Sequence, residues 1–166
     1  MTPRQILRLF VFALLALVFL AAVPGSLRYA FQHGGFYLFS EAFWYDLPKR
    51  LTGPGRMRFI FQPIVAIVLG IRSGLADARA GKRPYILGLF VDRGQRLALL
   101  KEALEELSIL IALAILFDAI SQFLILREVF PGAALVVGPV LIAVPYSLSR
   151  ALSNRWEQAR HSAPKS

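Results

Sequence analysis

Leu107 to Leu126 (LSILIALAILFDAISQFLIL) runs for twenty residues with a single charge, Asp118. As a helix, such a run is about 30 Å long at 1.5 Å per residue, which matches the hydrocarbon thickness of a bilayer. A soluble chain interleaves apolar and polar residues at period 2 or 3.6, whereas here the apolar residues are blocked together. The same blocking recurs in Leu7–Val23, where only Arg8 is charged, and in Ala133–Leu152, interrupted by Pro139 and Pro145. With 57% of residues hydrophobic and 17% charged, the chain has too little polar surface to cover a compact soluble fold. The expected fold class is therefore an all-α integral membrane protein: a four-helix transmembrane bundle with interfacial amphipathic helices, forming one domain over residues 1–160.

The first span is expected at 7–23. Its basic start and apolar core also resemble a secretory leader, but the apolar run exceeds an ordinary leader core. Pro24 also sits just beyond Ala21-Ala22-Val23, the one plausible cleavage site, so a retained anchor is expected. Pro24-Gly25 should end this helix. Residues 33–48 then form an aromatic region. Read as one helix, they place Phe36, Phe39, Phe43 and Leu47 on a common face, suited to the headgroup layer, with Pro48 and then Thr52-Gly53-Pro54-Gly55 ending the segment.

The second span is expected at 59–76. Phe59–Ile71 alone falls short of the roughly 17 residues a crossing requires, so the span extends past Arg72, whose side chain must reach back to the interface. A re-entrant segment is the competing expectation. Residues 77–106 form a charged loop in which Pro84–Val91 dips into the interface. Beyond Gln95, Leu97, Leu100, Leu104 and Leu107 repeat at helical spacing, and Lys101 and Glu105 make an i,i+4 pair. The third span is 107–126, the fourth 133–152, and residues 161–166 are expected to be a disordered tail.

The net charge is +9. The basic residues flank apolar segments instead of forming one dense patch, which argues against nucleic acid and for anionic lipid headgroups on the cytoplasmic side. With four spans, 13 Lys and Arg fall on the side of the two termini and 6 on the other. That bias places both ends in the cytoplasm, with the inner (plasma) membrane of a bacterium as the expected location.

Asp118 is the costliest residue in the chain, since an ionised carboxylate inside a span costs about 2.5–3.5 kcal/mol or more. Gln122 lies one turn further along the same face, with Ser121 beside it, and Gln62 on the second span is expected at similar depth. These three, Asp118, Gln122 and Gln62, make a candidate intramembrane polar node. No second embedded carboxylate and no basic partner is expected at that depth. The node therefore reads first as a helix-packing device, and second as the site of a small-solute or proton/cation transport module. Gly70-x-x-x-Gly74, Ala134-x-x-x-Gly138 and Ala143-x-x-x-Ser147 carry small residues at the spacing that lets helices approach closely, within one chain or between a homo-oligomer or a partner membrane protein.

Other chemistry is poorly supported. With no cysteine, thiolate nucleophiles and thiolate metal sites are excluded. His33, Glu41 and Asp46 match no metal-ligand spacing, and Glu102 and Glu106 read as the solvated face of the amphipathic helix. Hydrolase, phosphate-loop and zinc-protease motifs are missing, so no metal or cofactor is expected. The expected role is a non-enzymatic accessory or scaffold subunit of a membrane complex.

Overall fold

The computed structural model describes residues 2–91, 94 and 96–162, and every regular element among them is helical. Helix α1 spans Pro3–His33, a 3-10 turn spans Tyr37–Phe39, and α2 spans Glu41–Thr52. These are followed by α3 (Arg58–Arg79), α4 (Tyr85–Val91), α5 (Arg96–Leu126) and α6 (Pro131–Ser162). Four of the helices, α1, α3, α5 and α6, are long and apolar enough to cross a membrane. The chain divides into two compact units, Met1–Ile60 with Ile109–Val140, and Phe61–Ser108 with Leu141–Ser166.

In the first unit, α1 starts on a reciprocal cap. Thr2 Oγ1 accepts from the Gln5 backbone N–H at 3.3 Å, and Gln5 Oε1 accepts from the Thr2 N–H at 2.8 Å. The break expected at Pro24-Gly25 does not occur, and the helix runs on to His33 before Gly34 closes it at φ +69°. A proline inside a helix removes one backbone bond, and the segment beyond it is held by contacts of its own. Ser26 Oγ donates to the Val129 carbonyl at 3.1 Å, and the Tyr29 ring meets Tyr37 and Phe130 edge-on.

The aromatic region also departs from expectation. It is two elements, a 3-10 turn and then α2, separated by extended backbone at Ser40. The single-face alignment is lost: Phe36 and Phe39 are exposed, whereas Phe43 is buried with Tyr37, Phe130 and Ala133. Pro48 does not end α2, which stops instead at Thr52 before Gly53, the second of the two breaks expected there. Its last turn is anchored by the fully buried side chain of Arg50. A second apolar cluster joins Val11 and Leu15 of α1 to Ala112, Ile115 and Leu116 of α5 and Ala134 of α6. Gly138 belongs to the same close packing, since a Cβ there would lie 2.8 Å from the Ile115 backbone nitrogen.

In the second unit, the small residues of α3 set its distance from α6. A Cβ on Gly70 would lie 2.5 Å from the Tyr146 carbonyl oxygen, and one on Gly74 would collide with the Arg150 carbonyl and Ser153. Ala143 and Ser147, the other small pair of α6, are only half-buried. The two helices run parallel here, because Gly70 faces 146–150 and Gly74 faces 150–153. At 22 residues, α3 has the length to cross that the shorter 59–76 estimate barely reached. Helix α6 continues through His161 to Ser162, so the first two residues of the expected disordered tail are helical, while 163–166 lie outside the described residues.

Candidate functional site: two buried charge clusters

The first unit holds Asp118 fully buried on α5. Its Oδ1 lies 2.6 Å from Arg58 Nη1, at the start of α3, and its Oδ2 lies 3.6 Å from Arg50 Nη1, at the end of α2. Gln122 Nε2 donates to Asp118 Oδ2 at 2.6 Å, and Gln122 Oε1 accepts the Phe130 backbone N–H at 2.8 Å. The same amide thus orients the carboxylate and holds the link between α5 and α6. Ser121 Oγ donates to the Pro54 carbonyl at 2.8 Å, which ties the turn before α3 to α5. Arg58 also donates to the Phe117 carbonyl at 3.2 Å.

The expectation that Asp118 has no basic partner is therefore wrong. Two guanidiniums face it, and breaking a buried pair of this kind by removing one partner typically costs about 3–5 kcal/mol. Asp118 is eight residues from the end of α5, about 12 Å along the axis, which lets a long arginine on an adjoining segment reach it. Both arginines count among the six basic residues expected on the side away from the termini. The eight-residue offset of Asp118 from Leu126, opposite an arginine that opens the preceding span, is the sequence signal that points to the pair. Gln62 lies in the second unit, and its side-chain amide has no hydrogen-bond partner among the described residues.

Around this pair runs an outer layer. Tyr37 Oη donates to Asp46 Oδ2 at 3.0 Å and accepts from Arg50 Nη2 at 3.4 Å. Burial pushes the Tyr37 phenol up to about 12, against the opposing pull of Arg50. Lys49 Nζ donates to Asp46 Oδ1 at 2.8 Å, and this bond raises the lysine above its ordinary value. Among the described residues, four guanidinium nitrogens make no hydrogen bond: Nε of Arg50, its Nη1, which has only the 3.6 Å ion pair to Asp118, and Nε and Nη2 of Arg58. The inner cluster thus holds two cations against one anion.

The second unit holds a cluster that the sequence reading missed. Arg150 of α6 is 1% exposed. Its Nε donates to Asp77 Oδ2 of α3 at 2.6 Å, its Nη2 to Glu102 Oε1 of α5 at 2.8 Å, and its Nη1 to the Tyr146 hydroxyl at 2.9 Å. That hydroxyl donates in turn to Glu106 Oε2 at 2.6 Å, and Ser73 Oγ donates to Glu106 Oε1 at 2.7 Å. Lys82 Nζ lies 3.6 Å from Asp77 and 3.8 Å from Glu102. The Arg150 guanidinium stacks over the Tyr85 ring at 4.6 Å, and burial raises the Tyr85 phenol above its ordinary value.

Glu102 and Glu106 are therefore not a purely solvated face. Both join α5 to α6, Glu102 through Arg150 and Glu106 through Tyr146. Lys101 and Glu105, about 100° further round the helix, remain a mostly exposed pair at 3.9 Å. The link from α3 to α4 is fixed at its carbonyl, since Lys82 O accepts from Asn154 Nδ2 at 3.3 Å and Gln158 Nε2 at 2.9 Å. No group of three or more metal-ligating side chains occurs among the described residues. No family model matches the chain, and neither a curated protein nor a solved structure resembles it.

Proposed function

We propose that the chain is an integral membrane protein with four spans, α1, α3, α5 and α6, and both ends in the cytoplasm. Its role is that of a non-enzymatic accessory or scaffold subunit of a complex in the inner (plasma) membrane. The observation that carries this reading is the engagement of Asp118 by Arg58 and Gln122. A carboxylate committed to a guanidinium at 2.6 Å and an amide at 2.6 Å is a fastening between segments. The Arg150 network has the same character, with three helices held by one side chain.

A second reading, a small-solute transport module at Asp118, changes sign in the light of these contacts. The surplus guanidinium and its unpaired N–H groups favour an anionic solute over a proton or metal cation. Gentle detergent extraction at native expression, followed by identification of co-migrating proteins, tests the scaffold role. A constant membrane-protein companion is expected, and a lone monomer removes that role. Asp118→Asn separates the two readings. Loss of the companion with loss of assembly supports the fastening, whereas intact assembly with lost solute uptake supports transport.

A further inference from the structure

A groove of about 860 Å³ runs along the second unit between α3 and α6, and its character changes from one end to the other. At the upstream end it is lined by Ile67, Ile71 and Leu75 of α3 and by Leu148 and Leu152 of α6. At the downstream end it meets Trp156, Arg79 and Arg160. Because α3 and α6 run parallel here, both arginines fall at the same end. Both are exposed, and neither makes an ion pair among the described residues. The other charge at that end, Glu157, has its Oε1 3.4 Å from His161 Nε2. Two guanidiniums against one carboxylate leave the end cationic.

We infer that this groove is a site for one anionic phospholipid of the cytoplasmic leaflet, its acyl chain lying along Ile67–Leu75 and its phosphate between Arg79 and Arg160. The dimensions fit. From Ile67 to Arg79 the helix advances about 18 Å, close to half the roughly 30 Å hydrocarbon layer plus the start of the headgroups. The order of residues fits as well, since an indole between the apolar stretch and the cations sits where aromatic rings favour the interface. Glycines at 70 and 74 draw the helices together, so the groove is a furrow with a closed floor of Ser149 and Ser153. Both helices approach their C-terminal ends here, where backbone carbonyls repel an anion. Recognition of the phosphate therefore falls to the arginine side chains. A second copy of the chain or another apolar helix would gain nothing from the paired cations at one end of the furrow.

This inference rests on the membrane reading above, and the test separates the two. Trp44→Phe leaves Trp156 as the sole tryptophan of the 166-residue chain. That protein is reconstituted into phosphatidylcholine vesicles containing either acyl-brominated phosphatidylglycerol or acyl-brominated phosphatidylcholine at equal mole fraction. Flotation with the vesicles reports insertion whatever the headgroup. In floating protein, the anionic bromolipid is expected to quench Trp156 at several-fold lower mole fraction than the zwitterionic one. In Arg79→Gln/Arg160→Gln that preference is expected to disappear, because each interfacial cation contributes up to about five-fold and the two together account for all of it. Equal quenching by the two lipids, or a preference that survives the double substitution, overturns the lipid site and leaves the membrane reading standing. Quenching by neither lipid in floating protein shows the furrow covered by protein and also overturns it. Protein that fails to float overturns both.

Discussion

Asp118 is buried against two buried arginines, so removing it strands the charges of both Arg58 and Arg50, while removing Arg58 takes away the shorter of its two ion pairs and leaves only Arg50 at 3.6 Å. Asp118→Asn or Arg58→Gln should each destabilise the folded protein by about 3–5 kcal/mol, read as a lower Tm in detergent. Replacing the pair together by Asp118→Leu and Arg58→Met should recover only part of that loss, because an apolar substitute for a buried ion pair is often neutral but Arg50 stays buried without its carboxylate. Adding Arg50→Met should recover most of the remainder, and a triple variant as unstable as the singles would mean that Gln122 and Phe117, stripped of their partners, carry the cost. Tyr37 gives a pH signature. Its folded pKa, about 12, exceeds the usual 10, so the unfolded chain releases the phenolic proton first. Above pH 10 the unfolded state binds fewer protons, and stability should fall as pH rises toward 12. Tyr37→Phe should remove that slope from a denaturation series over the same pH range. The cost of Asp118 was legible in its run of apolar neighbours. Its partners were not, because Arg50 and Arg58 flank a Gly-Pro turn and read as loop cations until the turn folds back onto α5.

The α3–α6 contact of the second unit depends on the absence of side-chain atoms at two positions. Gly70→Ala places a Cβ 2.5 Å from the Tyr146 carbonyl, so the helices must part or Tyr146 must shift. A loss of about 1–3 kcal/mol is expected from such overpacking, again read by Tm. Gly25→Ala on α1 meets nothing within 4 Å and should stabilise by up to about 1 kcal/mol through helix propensity alone. The contrast tests whether spacing, and not glycine content, governs the helices. The periodicity of small residues announced this contact at Gly70 and Gly74. The ends of helices were harder to read, since Pro24 and Pro48 look like stops in isolation. Tertiary anchors, the Tyr29 ring in one case and Arg50 in the other, carry each helix past its proline.

For the whole molecule, the expected arrangement puts the Gly53–Gly55 turn outside and both termini inside. A reporter fused after Ser166 should report cytoplasm, and one inserted at the turn should report the exterior. An external C-terminus would remove α3 as a crossing and leave three spans. The long apolar runs made four membrane-length helices foreseeable from the sequence. The two charge clusters were hidden because their members are drawn from segments far apart in the chain, where periodicity carries no information about pairing.

That separation has a consequence for the order in which the chain is made. Asp118 meets arginines synthesised before it, and both partners already exist when it emerges. Asp77 and Glu102 instead wait for Arg150, forty-eight residues after the later of the two. A nascent or truncated chain that stops short of Arg150 keeps these carboxylates without their guanidinium, whereas the first cluster can already close. The second half of α6 therefore acts as the clasp that completes assembly, and truncations before and after residue 150 should differ sharply in cellular half-life.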